Sequence, residues 1–196
     1  MSDLYDRLEE IQGMTRVLIG DVERLRPQLG SRSIQDDKTI EQEGARRAYV
    51  RAVFALIEAT VAQHKRLLLD LASRQAVALE EGTEAVLTEQ IFVADEKGKI
   101  SSREQYLNLR RKIRLVYGVA ARAFGRDLTV RYDVQGWQQF TNSIEIRDRL
   151  THPKSYADCD VGDDDVDSVD QGHDWYRGLN QEFVRVAREH RAQHNW

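Results

Sequence analysis

The chain has little that staples or breaks structure. Of its 196 residues one is cysteine and two are proline. The single thiol, Cys159, cannot close an internal disulfide, which excludes a disulfide-built scaffold and points to a reducing compartment such as the cytoplasm. With so few prolines and 12 glycines, helices can run long over most of the chain. No apolar run approaches the roughly 18 residues that span a bilayer. The best stretch, 52–62, is short and broken by Glu58, so no membrane partner is expected. The opening MSDLYDRLEEIQ is charged from position 3 and does not read as a secretory signal. An excess of one charge is also lacking: 29 Lys/Arg stand against 33 Asp/Glu, net −4. Such a chain is not expected to coat nucleic acid nonspecifically, because that binding runs on phosphate neutralisation; a small basic site stays compatible with it.

What is present is helical periodicity. Leu4, Leu8, Ile11, Thr15, Leu18, Val22, Leu25 and Leu29 form one stripe, with Pro27 and Gly30 near its end and a loop over 30–38. A second helix is predicted over 39–80, its stripe being Val50, Phe54, Ile57, Val61, His64, Leu68 and Leu71. Residues 82–101 are mixed, a short helical stretch and then a turn at DEKG. Ser101 with Glu104, and Ser102 with Gln105, have capping-box spacing. A third helix is predicted from there to Gly125, burying Tyr106, Leu109, Ile113, Val116, Ala120 and Phe124. LTVRY at 128–132 reads as a brief extended piece. Asp133 is the predicted N-cap of a fourth helix carrying Trp137, Phe140 and Ile144, which Pro153 should end near His152. An aspartate-rich loop follows, then a final helix with Trp175, Leu179, Phe183 and Val186. No repeat or boundary is visible. The expected fold is all-α, an antiparallel four- to five-helix bundle in one domain over 1–196.

One stripe is broken. Continued beyond Ile144, the rhythm of the fourth helix reaches Arg147 and then Thr151. A guanidinium at an apolar position needs a carboxylate, an interface or an anion. Its planar fork suits carboxylate or phosphate. Glu58, inside the apolar segment of the second helix, either pairs with Arg147 or reaches solvent from the flank of the stripe. His152 lies five residues after Arg147, and Asp148 stands four before His152, close enough on a helix to orient and charge the imidazole. Arg149 and Lys154 add positive charge. A permanent cation, a titratable base and an acid can handle a phosphodiester: the base moves the proton of a 2′-hydroxyl and the cation takes the charge that grows on phosphate. The same residues also fit a plain structural account, a salt-bridged arginine and a helix-terminal histidine. Five helical residues turn by about 140°, so Arg147 and His152 share a face only if the helix unwinds or two chains pool their residues.

Arg147-Asp148-Arg149-Leu150-Thr151-His152 resembles the R-x4-6-H motif of the HEPN superfamily, with a polar residue directly after the arginine. The helical context, the late position of the motif and the early helix RAVFALIEATVAQHKRLLLDLA are similar too. The resemblance implies a homodimeric helical bundle whose facing motifs form a metal-independent endoribonuclease site. Such proteins commonly act in toxin–antitoxin or defence systems, so RNA and an antitoxin protein are the implied partners. Arg147 and His152 would then be catalytic, Asp148 supporting, and Arg149 and Lys154 phosphate-binding. The tyrosine that one subgroup carries two residues after the histidine is Lys154 here. Some members are catalytically silent binding modules.

The remaining polar features have simpler accounts. His64, on a stripe, reads as a core histidine. His190 and His194 have metal-gripping spacing but no third ligand is evident, so neither metal nor cofactor is expected. The aspartates from Asp158 to Asp170 lack the EF-hand glutamate, since the twelfth position from Asp158 is Val169. They read as a solvated loop whose last carboxylates favour a helix start. Arg110, Arg111, Lys112 and Arg114 form either a solvated outer face or a phosphate-holding patch.

Overall fold

The longest periodic stripe in the sequence becomes the longest helix. In a computed structural model describing residues 4–30, 39–125, 128 and 130–194, helix α2 runs Ile40–Ser73. All seven stripe residues from Val50 to Leu71 are buried. The helix stops short of the predicted residue 80. Gln75 adopts a positive φ of 59°, and the Gln75 and Ala76 N–H groups fold back to the carbonyls of Ala72 and Leu71, a Schellman stop made without glycine. Before it, α1 spans Leu4–Leu25 and tightens into a 3-10 turn at Arg26–Leu29 containing Pro27. Ile11, Val22 and Leu29 are buried. The side chains of Leu4 and Leu8, and the predicted loop beyond Gly30, lie outside the described residues.

The predicted start of the third helix is overturned. After the short helix α3 (Thr83–Leu87), strands β1 (Gln90–Ala94) and β2 (Ile100–Glu104) pair antiparallel, with Phe92 opposite Ser102. DEKG is the hairpin turn: the Asp95 carboxylate accepts the N–H groups of Lys97 and Lys99 at 2.9 and 2.8 Å, and Gly98 takes φ +75°. The capping-box spacing at 101–105 falls largely within β2. The real cap is Asn108, whose side-chain oxygen accepts the Arg111 N–H at 3.0 Å and opens α4 (Leu109–Ala123). Leu109, Ile113, Val116 and Ala120 form the buried face, with Phe124 beyond the helix end, whereas Tyr106 precedes the helix and is 82% exposed.

Helix α5 spans Gln135–Thr151 with Val134 at the cap; the predicted cap, Asp133, pairs with Arg131 instead. The described residues of 128–132 form no strand, and Thr129 lies outside them. Helix α6 runs Asp163–His194, so much of the predicted aspartate loop is helical. Asp163, Asp164 and Asp165 sit in its first turn, where the helix dipole favours carboxylates, and Val166 and Val169 among them are buried.

The chain is thus mostly helical, 73%, with six α-helices and one two-stranded sheet among the described residues. None of those helices is long and apolar enough to cross a membrane. The residues fall into two compact units, one drawn from 61–130 and 181–194, the other from 5–60 and 131–180. In the first, Leu67, Leu68, Leu71, Ile113, Tyr117 and Phe183 are buried. In the second, Phe140 lies within 5.3–6.4 Å of the rings of Phe54, Trp137, Trp175 and Tyr176. Such ring pairs add about 0.5–1.5 kcal/mol each beyond area burial. Gly172 makes this possible: a Cβ there would lie 2.7 Å from Phe140 Cα, so α5 and α6 approach through a bare backbone.

Candidate functional site

The broken stripe ends at the C-terminus of α5. Trp137, Phe140 and Ile144 bury one face, and the next turn brings Arg147 against α2. There Arg147 Nη2 donates to Glu58 Oε1, and Nη1 donates to Asp148 Oδ1 at 2.8 Å. The guanidinium carbon lies 5.3 Å from the Phe54 ring centroid, a cation–π approach. The side chain keeps 21% of its exposure, and its buried Nε has no hydrogen-bond partner among the described residues. One edge of the fork is therefore held by carboxylates at the border of solvent.

Pro153 disfavours helical geometry at the residue before it, and the helix does end there. His152 is the C-cap with φ −129° and ψ 61°, its N–H reaching the Asp148 carbonyl at 3.0 Å. Arg51 Nη2 donates to the Leu150 carbonyl at 3.3 Å, so α2 also satisfies an orphan oxygen of this terminus. The His152 side chain is exposed, and no hydrogen bond, ion pair or ring contact joins its imidazole to Arg147, to Asp148 or to any other described residue. Asp148 thus meets the imidazole's residue through its backbone and gives its carboxylate to Arg147. Within one chain the guanidinium and the imidazole are neighbours in sequence and are not joined.

The two outer cations behave differently. Arg149 turns to the start of α6, where Nη2 donates to the Asp165 carboxylate and, at 2.9 Å, to the Asp160 carbonyl. Lys154 stays exposed, and its side chain has no ion pair among the described residues. Its backbone N–H and that of Ser155 donate to Asp158 at 2.7 and 2.8 Å, and these two bonds hold the Asp158 carboxyl below the usual range.

A buried cation that reasoning from the sequence missed lies on α2. Arg46 is 3% exposed and fully used: Nε donates to the Leu29 carbonyl at 2.9 Å, Nη1 to the Val161 carbonyl at 3.2 Å, and Nη2 meets Asp163 at 2.6 Å. Its signal was available, because the stripe of α2 run backward from Val50 by four lands on Arg46. Near it the Tyr49 hydroxyl donates to Asp170, which also pairs with Arg26 at 3.1 Å. Burial and this bond raise the phenol's pKa above its ordinary value.

The other histidines are structural in setting. His64 is buried between the rings of Phe183 and Tyr117, and desolvation pushes its pKa down to about 3. His190 is buried with its ring 5.2 Å from that of Phe124, while the His194 side chain lies outside the described residues. Among the described residues no three His, Cys, Asp or Glu side chains gather where a metal ion would fit. Set against known protein families, curated proteins and solved structures, the chain matches none.

Proposed function

We propose that the chain is a HEPN-like, metal-independent endoribonuclease that works as a cytoplasmic homodimer with a four- to five-helix bundle fold. The observation that carries this reading is the end of α5: an arginine aimed and held by Glu58 and Asp148, followed after five residues by an exposed histidine whose imidazole no described residue occupies. In the proposed reaction His152 takes the proton of a ribose 2′-hydroxyl. The 2′-oxygen attacks phosphorus and the P–O5′ bond breaks. Arg147 stabilises the charge that grows on the phosphate oxygens. The leaving 5′-oxygen receives a proton from a second imidazole, that of the other copy, so the products carry a 2′,3′-cyclic phosphate and a 5′-hydroxyl. Asp148 and Glu58 act by holding the guanidinium, Lys154 by attracting phosphate at the rim. Arg149 reaches phosphate only by exchanging its Asp165 partner. An RNA-cleaving toxin restrained by an antitoxin protein is the biological setting this reading implies.

A specific observation favours a second reading, a catalytically silent helical module. Arg147 already carries two carboxylates, with which any phosphate must compete. The experiment is RNA integrity after incubation with purified protein in EDTA, with Arg147→Ala and His152→Ala variants alongside. Cleavage by wild type at least about 100-fold faster than by either variant, with cyclic-phosphate ends, is the expected result. Equal rates in wild type and His152→Ala overturn the nuclease and leave the module.

A further inference from the structure

We propose that the β1–β2 hairpin and the first turn of α4 form a platform for single-stranded RNA, on which Phe92 and Tyr106 stack bases while Lys97, Lys99, Arg103 and Arg111 hold phosphates. The proposal rests on the reading above only for its choice of RNA. All ten strand residues are exposed, although an antiparallel pair ordinarily buries one face. Pleating puts Phe92 and Ile100 on one face and Ile91 and Val93 on the other, the latter with Arg103 directly opposite Ile91. Phe92 is 63% and Ile100 70% exposed, so core packing does not account for either. Tyr106 follows β2 on a stretch pinned by Glu89, whose carbonyl accepts the Gln105 N–H at 2.7 Å and whose carboxylate accepts the Leu107 N–H at 3.4 Å. Lys112 stands 5.3 Å from the Tyr106 ring centroid while pairing with Glu89, so the ring is fixed but open to solvent.

Charge selects the ligand. Residues 90–114 hold seven Lys/Arg against three Asp/Glu, net +4 in a chain of net −4. Lys97, Lys99, Arg103 and Arg111 are exposed, and their side chains make no ion pair among the described residues. Exposed rings on a segment that also carries such cations, Arg103 on the hairpin face opposite to Phe92, suit a strand whose base faces are free and whose phosphates run past the edge of the hairpin. A duplex keeps its base faces inside the stack and offers the rings nothing. A second copy of the chain would set one net-positive segment against another.

The probe is a fluorescently labelled 12-nucleotide uridine-rich RNA with every 2′-hydroxyl methylated, titrated with the full chain and followed by anisotropy. It lacks the nucleophile of the proposed cleavage, so binding is read whether or not the chain is a nuclease. Phe92→Ala with Tyr106→Ala should weaken binding at least about tenfold, and Phe92→Tyr with Tyr106→Phe should restore it. Lys97→Ala with Arg103→Ala should lower the slope of log affinity against log salt by about 0.7 for each phosphate no longer neutralised. The same sequence as a duplex should bind at least tenfold more weakly. Equal affinity of wild type and the double alanine variant, or no binding by wild type, overturns the platform. So does a sedimentation shift from dimer to monomer in that variant with RNA affinity unchanged, which makes the face an interface between copies. Intact binding with no RNA cleavage sinks the nuclease alone; cleavage with no binding to the hairpin sinks the platform alone.

Discussion

His64 in one compact unit and Arg147 in the other stand where an apolar stripe asks for a hydrophobic side chain, and each is accommodated differently. The imidazole sheds its charge. It lies 3.7 Å, centroid to centroid, over the Phe183 ring and edge-on to Tyr117, and neither of its nitrogens has a hydrogen-bond partner among the described residues. The guanidinium cannot shed its charge at any working pH, so it stays near solvent and collects Glu58, Asp148 and the face of Phe54. A titratable interruption of a stripe can therefore vanish into a core, whereas a permanent one draws a polar constellation around it. That asymmetry is why the α5 terminus, and not the buried histidine, is the candidate site.

Three measurements sharpen the contrast, in descending size. His64→Ala removes the ring under Phe183 and leaves a cavity; unfolding in urea at pH 7.5 should show a loss of about 3 kcal/mol. Loss below about 1 kcal/mol would mean that the stack is not part of a tight core. The second concerns acid. Because burial holds the folded-state pKa of His64 near 3, below the ordinary 6.5, the unfolded chain takes the proton first as pH falls. The stability tied to this group is complete above about 6.5 and drains away towards about 3, at about 1.4 kcal/mol per pH unit. Urea titrations at pH 6.5 and 5.0 should differ by about 2 kcal/mol in wild type, and by clearly less in His64→Phe. Superimposable profiles break the comparison. The smallest effect is that of Glu58→Gln. Glu58 keeps about half its exposure, so the change should cost only about 1 kcal/mol. A double-mutant cycle with Arg147→Gln should return a coupling of about 0.5–1 kcal/mol that shrinks in high salt. A coupling of zero would show that the pair orients the arginine without stabilising the fold.

Legibility in the sequence followed the length of each pattern. The stripe of α2 extends over six turns and names its buried face residue by residue. The hairpin hides because its strands have five residues each and neither face is buried, so alternation carries no burial signal. Serine and glutamate at capping distance then imitated a helix start, although Asn108 supplies the cap. Val166 and Val169 were masked by the aspartates around them, which are good first-turn residues rather than loop markers. At the site, Arg147 was legible as a misplaced charge and Pro153 as a stop. The diversion of Asp148 from the imidazole to the guanidinium, and of Arg149 to Asp165, was not, because spacing along a helix ranks neighbours without telling which carboxylate wins.

Both compact units are threaded by discontinuous stretches; two of their divisions fall inside the long helices α2 and α6, and another in the connection between α4 and α5. A chain leaving the ribosome therefore cannot finish its first half and fold it while the second is made, as serially arranged domains do. Residues 5–60 wait for 131–180 to complete one unit, and residues 61–130 wait for 181–194 to complete the other. The proposed site shares this delay: Glu58 is made long before Arg147, so the carboxylate that holds the guanidinium waits for its partner while the stretch between them is synthesised.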